Sequence, residues 1–297
     1  MQPQESGSVR ETLPATISLG SVRLRVADLE RSLRFYRDIL GYQVSTSDGD
    51  DLTSVFPARD HQGPPHFELR EVPGAAPASR HSPGLYHAAI LLPTRVDLAR
   101  VAMHLRQSGV PFGHSDHAVS EALYLDDPDG NGLEIYADRP REAWPLTDEG
   151  VAMTLDPIDF SSLLGEISGP DDIWRGMPEG TIIGHLHLRV SDLEAAHSFY
   201  VDVLGFEPMM TTIPGALFIS VGGYHHHLGL NVWESRGGWS AGEDHAGLDQ
   251  FVISVPDAGS LDAVERRLES HGVDCDRDGE SLAARDPDGT RIVTSAA

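Results

Sequence analysis

Lysine is absent from this chain. All 22 basic residues are arginine, set against 46 acidic ones, for a net charge of −24. A field of that sign repels nucleic acid and anionic membranes, so neither is expected as a partner. A high-salt cytoplasm accounts for the acidity, and a biased genome composition accounts equally well for the missing lysine. The single cysteine, Cys275, excludes an intramolecular disulfide and any thiolate metal cluster. No apolar run approaches the ~18 residues that span a bilayer. The N-terminal MQPQESGSVRETLP lacks the charged-then-apolar pattern of a signal peptide, so a cytoplasmic location is expected. A phosphate-cradling glycine loop and a basic patch are missing too. What is there, 297 residues at 40% hydrophobic content, suffices for roughly two soluble domains.

The chain also contains an internal repeat. Val22-Arg-Leu-Arg-Val-Ala-Asp28-Leu29-Glu30 opens one copy, continued by Phe35-Tyr36 and Leu40-Gly41-Tyr42. His185-Leu-His-Leu-Arg-Val-Ser-Asp192-Leu193-Glu194 opens another, continued by Phe199-Tyr200 and Leu204-Gly205-Phe206. Asp28, Tyr36 and Gly41 each recur 164 positions later, without a gap. In both copies an alternating strand runs into a helix with Asp28 or Asp192 at its N-cap. Apolar residues follow at helical spacing (Leu29, Leu33, Tyr36, Leu40), and Gly41 or Gly205 ends the helix.

Two weaker copies fill the gaps. Leu85 to Pro93 precedes a helix from about Val96 to Ser108, and Leu248 to Pro256 precedes one from about Ser260 to Ser270. Each of these copies closes on Asp-Pro-Asp-Gly, at 127–130 and 286–289. The result is four units of strand, helix and several strands, over 17–72, 84–137, 182–233 and 247–294. A linker rich in Pro, Gly and acidic residues, 138–181, separates the second from the third. A helix in every unit argues against a propeller, the other reading of repeats near this length.

One stretch concentrates the chemistry: Leu123 to Tyr136, LYLDDPDGNGLEIY. Its Pro, Gly and Asn residues supply a turn between two strands of a hairpin. On the second strand Leu133 and Ile135 face one way and Glu134 the other. A carboxylate on the inner face of a sheet is solvated, paired or bound to a metal.

Four stretches now point to a family. GLYHAAILLP, SDHAVSEALYLDDPDGNGLEIYADRP, IGHLHLRVSDLE and PGALFISVGGYHHHLGLNVW together resemble the vicinal oxygen chelate superfamily. Within it they resemble two-domain extradiol ring-cleaving dioxygenases of the catechol 2,3-dioxygenase type, and the resemblance runs from Ile17 to Thr294. It implies an α+β fold, four βαβββ modules paired into two cup-shaped half-barrel domains, 17–137 and 182–294. Family members bind metal through a first-strand residue of each module in a pair and a last-strand carboxylate. The first-strand positions here are Ser21, His87, His185 and Gln250, and the last strands of the second and fourth modules offer Glu134 and Val293. Pairing modules consecutively leaves both sets incomplete. Pairing the second with the third joins His87, Glu134 and His185, a 2-His-1-carboxylate set suited to Fe(II), with Mn(II) as the alternative. The first and fourth are then left with Ser21, Gln250 and Val293, which hold no metal. One live cup and one silent cup are expected, in nested order. A lone strand histidine is more often a hydrogen-bonded core residue; two at equivalent repeat positions, with a carboxylate, point to ligands. His187 shares a face with His185 and competes with it as the ligand.

The resemblance also implies an acid–base histidine in a His-His-x-x-Gly/Ala setting. Within His225-His226-His227, alternation turns His225 and His227 toward the cup, and His227 is assigned the role. A polar histidine cluster at a module edge is the plain alternative. Tyr124, ten residues before Glu134, matches a tyrosine that stands behind the ligands in those enzymes, although simple packing accounts for it too. His117 falls near a further active-site histidine, with His114 as its competitor. Arg23, Arg25 and Arg189 read as ordinary salt-bridged strand residues. Trp144 and Trp174 in the linker are apolar enough to cover part of the site. Gly238-Trp-Ser240-Ala-Gly242 fits G-x-S-x-G without the strand-to-helix elbow, and Asp127 to Gly132 fits only half an EF-hand loop.

The implied activity is extradiol cleavage of a small aromatic diol with O2 at a mononuclear iron, as in aromatic hydrocarbon catabolism. A glyoxalase-like isomerase or lyase, which wants a fourth protein ligand, and a metal-free drug-binding protein are the alternatives. Which catechol or hydroquinone is used, and whether the chain forms a homo-oligomer, is not written in these residues.

Overall fold

The computed structural model describes residues 11–46, 51–57, 63–147, 150–169 and 172–296. The first module comprises β1 (Ser18–Val26), α1 (Leu29–Leu33), β2 (Gln43–Thr46), β3 (Leu52–Phe56) and β4 (Phe67–Glu71). The second comprises β5 (Gly84–Leu91), α2 (Arg95–Gln107), β6 (Gly113–Asp116), β7 (Ser120–Asp126) and β8 (Gly132–Asp138). The linker holds β9 (Leu146–Thr147), β10 (Gly150–Val151) and α3 (Phe160–Leu164). The third comprises β11 (Ile182–Arg189), α4 (Leu193–Ala196), β12 (Glu207–Met210), β13 (Ala216–Ser220) and β14 (Leu228–Asn231). The fourth comprises β15 (Gly247–Val255), α5 (Ala258–Ser270), β16 (Cys275–Asp278), β17 (Ser281–Arg285) and β18 (Arg291–Ala296).

Local chemistry sets these elements. Asp28, Thr94, Asp192 and Asp257 cap the four module helices, each side chain accepting from a backbone N–H of the first turn. In the first and third modules the expected continuous α-helix instead widens after one turn into a π-helix, Arg34–Ile39 and His197–Val203. Leu40 N donates to Phe35 O at 3.0 Å and Leu204 N to Phe199 O at 2.9 Å, each bond skipping one residue more than in an α-helix. The wider turn buries the neighbouring Phe35 and Tyr36 together, and likewise Phe199 and Tyr200. Gly41 ends the first of these helices at φ 72, and a Cβ there would sit 2.4 Å from the Gly176 Cα of the linker.

The strands form two curled eight-stranded sheets. One runs β16-β17-β18-β15-β1-β4-β3-β2 and so joins the first and fourth modules. The other runs β12-β13-β14-β11-β5-β8-β7-β6 and joins the second and third. An antiparallel pair forms each seam, β1 with β15 and β5 with β11. Residues of both sheets, among them Leu24, Ile90, Leu186 and Phe251, belong to one continuous core. Side chains of the opposite parity point away from that core, into the cups.

The Asp-Pro-Asp-Gly hairpins act as clasps between consecutive modules. The buried Asp127 carboxylate accepts the backbone N–H of Asp129 at 2.8 Å and of Asn131 at 2.9 Å, and the Tyr36 hydroxyl of the first module at 3.2 Å. Asp286 repeats the pattern with Asp288 N at 3.0 Å, Thr290 N at 2.7 Å and the Tyr200 hydroxyl at 2.8 Å. Burial raises both carboxyls, that of Asp286 to about 6. Modules that lie in different sheets are thereby tied end to end. Among the described residues no helix is long and apolar enough to cross a membrane.

Candidate metal centre

The seam between β5 and β11 sets His87 opposite His187 and Ala89 opposite His185. Beside it, β8 sets Glu134 against Ala89, and β7 sets Tyr124 against Glu134. All these side chains share the face turned from the core. His87 Nε2 lies 2.9 Å from Glu134 Oε2, and His185 Nε2 lies 3.2 Å from the same oxygen. Donor atoms of the three buried residues all fall within 4.8 Å of one another. Ligands at right angles around a metal with bonds near ~2.1 Å stand about 3 Å apart, so the spacing fits a cation. Close as it is, His87 Nε2 makes no hydrogen bond of acceptable geometry in this buried place. Such an orphaned nitrogen is costly, and a shared cation satisfies it.

Electrostatics suit the same purpose. Burial by itself raises the Glu134 carboxyl, but His185 and His87 outweigh it and hold the group well below the usual carboxylate range. Burial lowers His185 against the pull of Glu134, and it lowers His187 further, assisted by His87 and His185. His185 and His187 are therefore neutral, with lone pairs to offer. His187 lines the cup but stands apart from the donor cluster: its Nε2 lies 3.0 Å from the Asn231 amide nitrogen, and its ring packs on Tyr86 at 4.9 Å.

Above the cluster opens a cavity of about 1120 Å³, walled by Met153, Leu155, Met210, Phe218 and Trp233. Tyr124 and His117 line it together. His117 Nδ1 lies 2.8 Å from Thr154 O, which can only accept, so Nε2 is the acceptor for the Tyr124 hydroxyl at 2.6 Å. Burial and then Glu134 push the Tyr124 hydroxyl up, keeping it a neutral donor. His114 lies elsewhere, its ring edge-on to Phe160 at 4.8 Å and its Nδ1 accepting from Ile158 N at 3.3 Å.

The histidine triplet corrects the sequence reading. His227 does not line the cavity: its Nδ1 pairs with the Ser220 hydroxyl at 2.7 Å and its ring packs on Tyr224 at 5.1 Å. His226 faces the cavity instead, its ring 4.2 Å from that of His185 and 5.0 Å from that of Phe218. The reason is local. β14 begins only at Leu228, after a turn through Gly222 and Gly223 at positive φ, so strand alternation does not extend back to the triplet. Counting His-His-x-x-Gly back from Gly229 selects His225-His226, and that spacing was the available signal.

Three other expectations change. Trp174 stacks on His104 at 5.9 Å, and Trp144 packs behind His225 at 5.2 Å, so neither covers the cavity. The linker supplies Met153, Thr154 and Leu155 to its wall instead. Arg23 and Arg25 are ion-paired, to Glu68 at 2.9 Å and Asp249 at 2.8 Å, whereas Arg189 donates Nε to Ser82 O at 3.3 Å and lines the cavity.

Known proteins resemble this chain over most of its length. The Glyoxalase/Bleomycin resistance protein/Dioxygenase superfamily profile matches residues 18–135 and 182–294. Over 289 residues the chain is 40% identical to a catechol-2,3-dioxygenase of Bacillus subtilis (strain 168), covering 93% of this chain and 96% of that one. Glyoxalase I from Zea mays superposes with a TM-score of 0.55 at 18% identity, over 95% of this chain and 92% of its own. The cppA protein of Streptococcus pneumoniae gives 0.52 at 11% identity, over 94% of this chain and 100% of its own. At such identities these two structures speak for the fold alone. With the profile on both halves and a relative aligned almost end to end, this chain belongs to the glyoxalase/bleomycin resistance protein/dioxygenase superfamily.

Proposed function

We propose that this chain is an extradiol ring-cleaving dioxygenase, acting with O2 on a catechol-type aromatic diol at a mononuclear Fe(II) held by His87, Glu134 and His185. The observation that carries the reading is the donor cluster: two imidazoles and an ionised carboxylate, buried together beneath a cavity with room for an aromatic ring. Similarity at 40% identity to a catechol-2,3-dioxygenase supports it. Bound there, Fe(II) supplies open positions for both diol oxygens and for O2, and makes the phenols more acidic.

The chain's own residues do the rest. His226, kept neutral by burial and then by the imidazoles around it, accepts a diol proton and returns it as the ring opens beside the diol. The hydrogen-bonded pair Tyr124 and His117 presents a polar edge to the substrate oxygens, while Phe218, Met210 and Trp233 hold the ring and exclude water. The product is a muconic semialdehyde.

The isomerase alternative lacks its fourth ligand. Glu134 pairs with Ala89, two residues past His87, and the residue pairing with His187, two past His185, is Gly229. The equivalent of Glu134 in the third module thus carries no donor. A metal-free binding protein has no use for a buried His/His/Glu cluster.

Anaerobic metal quantification, followed by oxygen uptake with a panel of catechols, tests the proposal. The expected result is one iron per chain and one O2 consumed per semialdehyde formed. Full metal loading without oxygen uptake across the panel, or cleavage between the hydroxyls, overturns the activity. Failure to bind metal overturns the site.

A further inference from the structure

Behind His226 a chain of hydrogen bonds leads away from the cavity. His226 Nδ1 lies 2.8 Å from His225 Nδ1, and His225 Nε2 lies 3.0 Å from Asp138 Oδ1. The Tyr224 hydroxyl donates to Asp138 Oδ2 at 2.9 Å and takes the Tyr136 hydroxyl at 2.7 Å. The His225 side chain is fully buried, whereas Asp138, at the end of β8, is partly exposed. Trp144 and Tyr224 pack on the His225 ring from 5.2 Å and 4.0 Å and hold its plane.

Proton positions follow from the far end of this chain. A carboxylate oxygen can only accept, so His225 donates from Nε2 at 3.0 Å, and in its imidazole form its Nδ1 is bare. The contact between the two Nδ1 atoms needs one proton, and only His226 can supply it. His226 therefore carries its hydrogen on Nδ1. Its Nε2, with no hydrogen-bond partner among the described residues, is left as a lone pair on a residue that lines the cavity.

We infer that Asp138 is a positioning residue that, through His225, fixes the tautomer of His226 and so presents a base rather than a donor to the substrate. With the opposite tautomer an N–H would face the diol, and the proton could not be taken. The inference rests on the reading of His226 as the acid–base group, but the tautomer itself is a property of the folded chain. Neither Asp138 nor His225 lines the cavity, so both act at one remove.

Nitrogen-15 histidine spectra of the full-length, Zn(II)-loaded protein read the tautomer without turnover, with His226→Gln assigning the signals. The wild type is expected to show His226 protonated at Nδ1 and bare at Nε2. Asp138→Asn offers one acceptor where Tyr224 and His225 need two, so a second His226 tautomer should appear. In the iron enzyme the same variant should lose about 10–100-fold in kcat, the usual range for a supporting partner, with KM and metal content unchanged. Asp138→Glu should recover most of the loss. A wild-type His226 protonated at Nε2, or an Asp138→Asn protein with unaltered spectrum and kcat, overturns the inference. A protein with the expected tautomer and no dioxygenase activity defeats the proposed function and leaves the relay standing.

Discussion

The two cups share one fold and differ on alternate residues of a few strands. In the repeat, Val22, Leu24 and Val26 of β1 correspond to Leu186, Leu188 and Val190 at β11, and all six are buried in the core. On the other parity Arg25 and Arg189 match, but two positions diverge: Ser21 against His185 and Arg23 against His187. Gln250 and Val293 stand where the live cup has His87 and Glu134. The silent cup does keep a carboxylate, on the opposite arm. Glu68 pairs with Arg23 as Gly229 pairs with His187, so it holds the register position that is empty of donors in the third module. Arg23 binds it with Nε and Nη2, both at 2.9 Å, and Arg25 and Arg70 converge on Asp249 at 2.8 Å and 3.0 Å. Guanidinium groups thus supply the positive charge that a bound cation would supply at the proposed site across the molecule. Core parity holds the fold on both sides, and the other parity is free to hold a metal or ion pairs.

The sharpest way to break this contrast is to strip the live cup of a proposed ligand. His185→Ala should cost more than the ~100-fold in metal affinity that supporting partners cost, and as much as His87→Ala. Metal analysis after anaerobic gel filtration checks it, and full retention in either variant removes the contrast. Next in size, His226→Phe should keep its metal and lose about 10²–10⁴-fold in turnover. His227→Phe, which only frees Ser220 from its partner, should leave kcat within about threefold and lower stability by roughly 1 kcal/mol. Steady-state kinetics on metal-quantified protein distinguish the two.

Acid affects both sheets alike. Burial lowers His66, in the silent sheet, from 6.5 to about 4, and His227, in the live one, equally to about 4. Each is a base depressed on folding, so the unfolded chain takes up its proton first. Their stabilisation is complete above pH 6.5 and falls away as the pH drops toward 4, by on the order of 3 kcal/mol for each group. Urea denaturation of wild type and His66→Gln at about pH 7.5 and about pH 5 reads this out. The variant should lose less stability between the two; an equal loss would show that His66 does not contribute. Smallest of all, Arg23→Ala in the silent cup should cost less than about 1 kcal/mol, as partly exposed pairs do, and leave turnover unchanged. A turnover defect there would mean that the two cups communicate.

Much of this was legible in the residues alone. Asp28 and Asp192 announce helix starts by their type and position, because a capping side chain needs only the next turn of backbone, whereas the caps Thr94 and Asp257 emerged only in the structure. Strand parity set Glu134 apart from Leu133 and Ile135, because neighbouring side chains of an extended chain must alternate, and the family resemblance set His87 and His185 beside it. The repeat, read with the ligand positions that the family resemblance implies, led to the expectation of one cup that holds metal and one that does not. Parity stopped being informative where the strand stopped. The turn at Gly222 and Gly223 rotates the triplet out of phase, so only the folded chain decides that His226 looks into the cavity and His227 toward Ser220. His185 and His187 have the same parity, and it is distance to Glu134, across sheet hydrogen bonds, that separates them. The hairpin at Asp127 reads locally as a turn, yet its carboxylate also serves Tyr36, 91 positions away. Local rules reach about one turn of helix or one strand. Contacts between residues far apart in the chain depend on how the sheets close, and only the tertiary structure decides those.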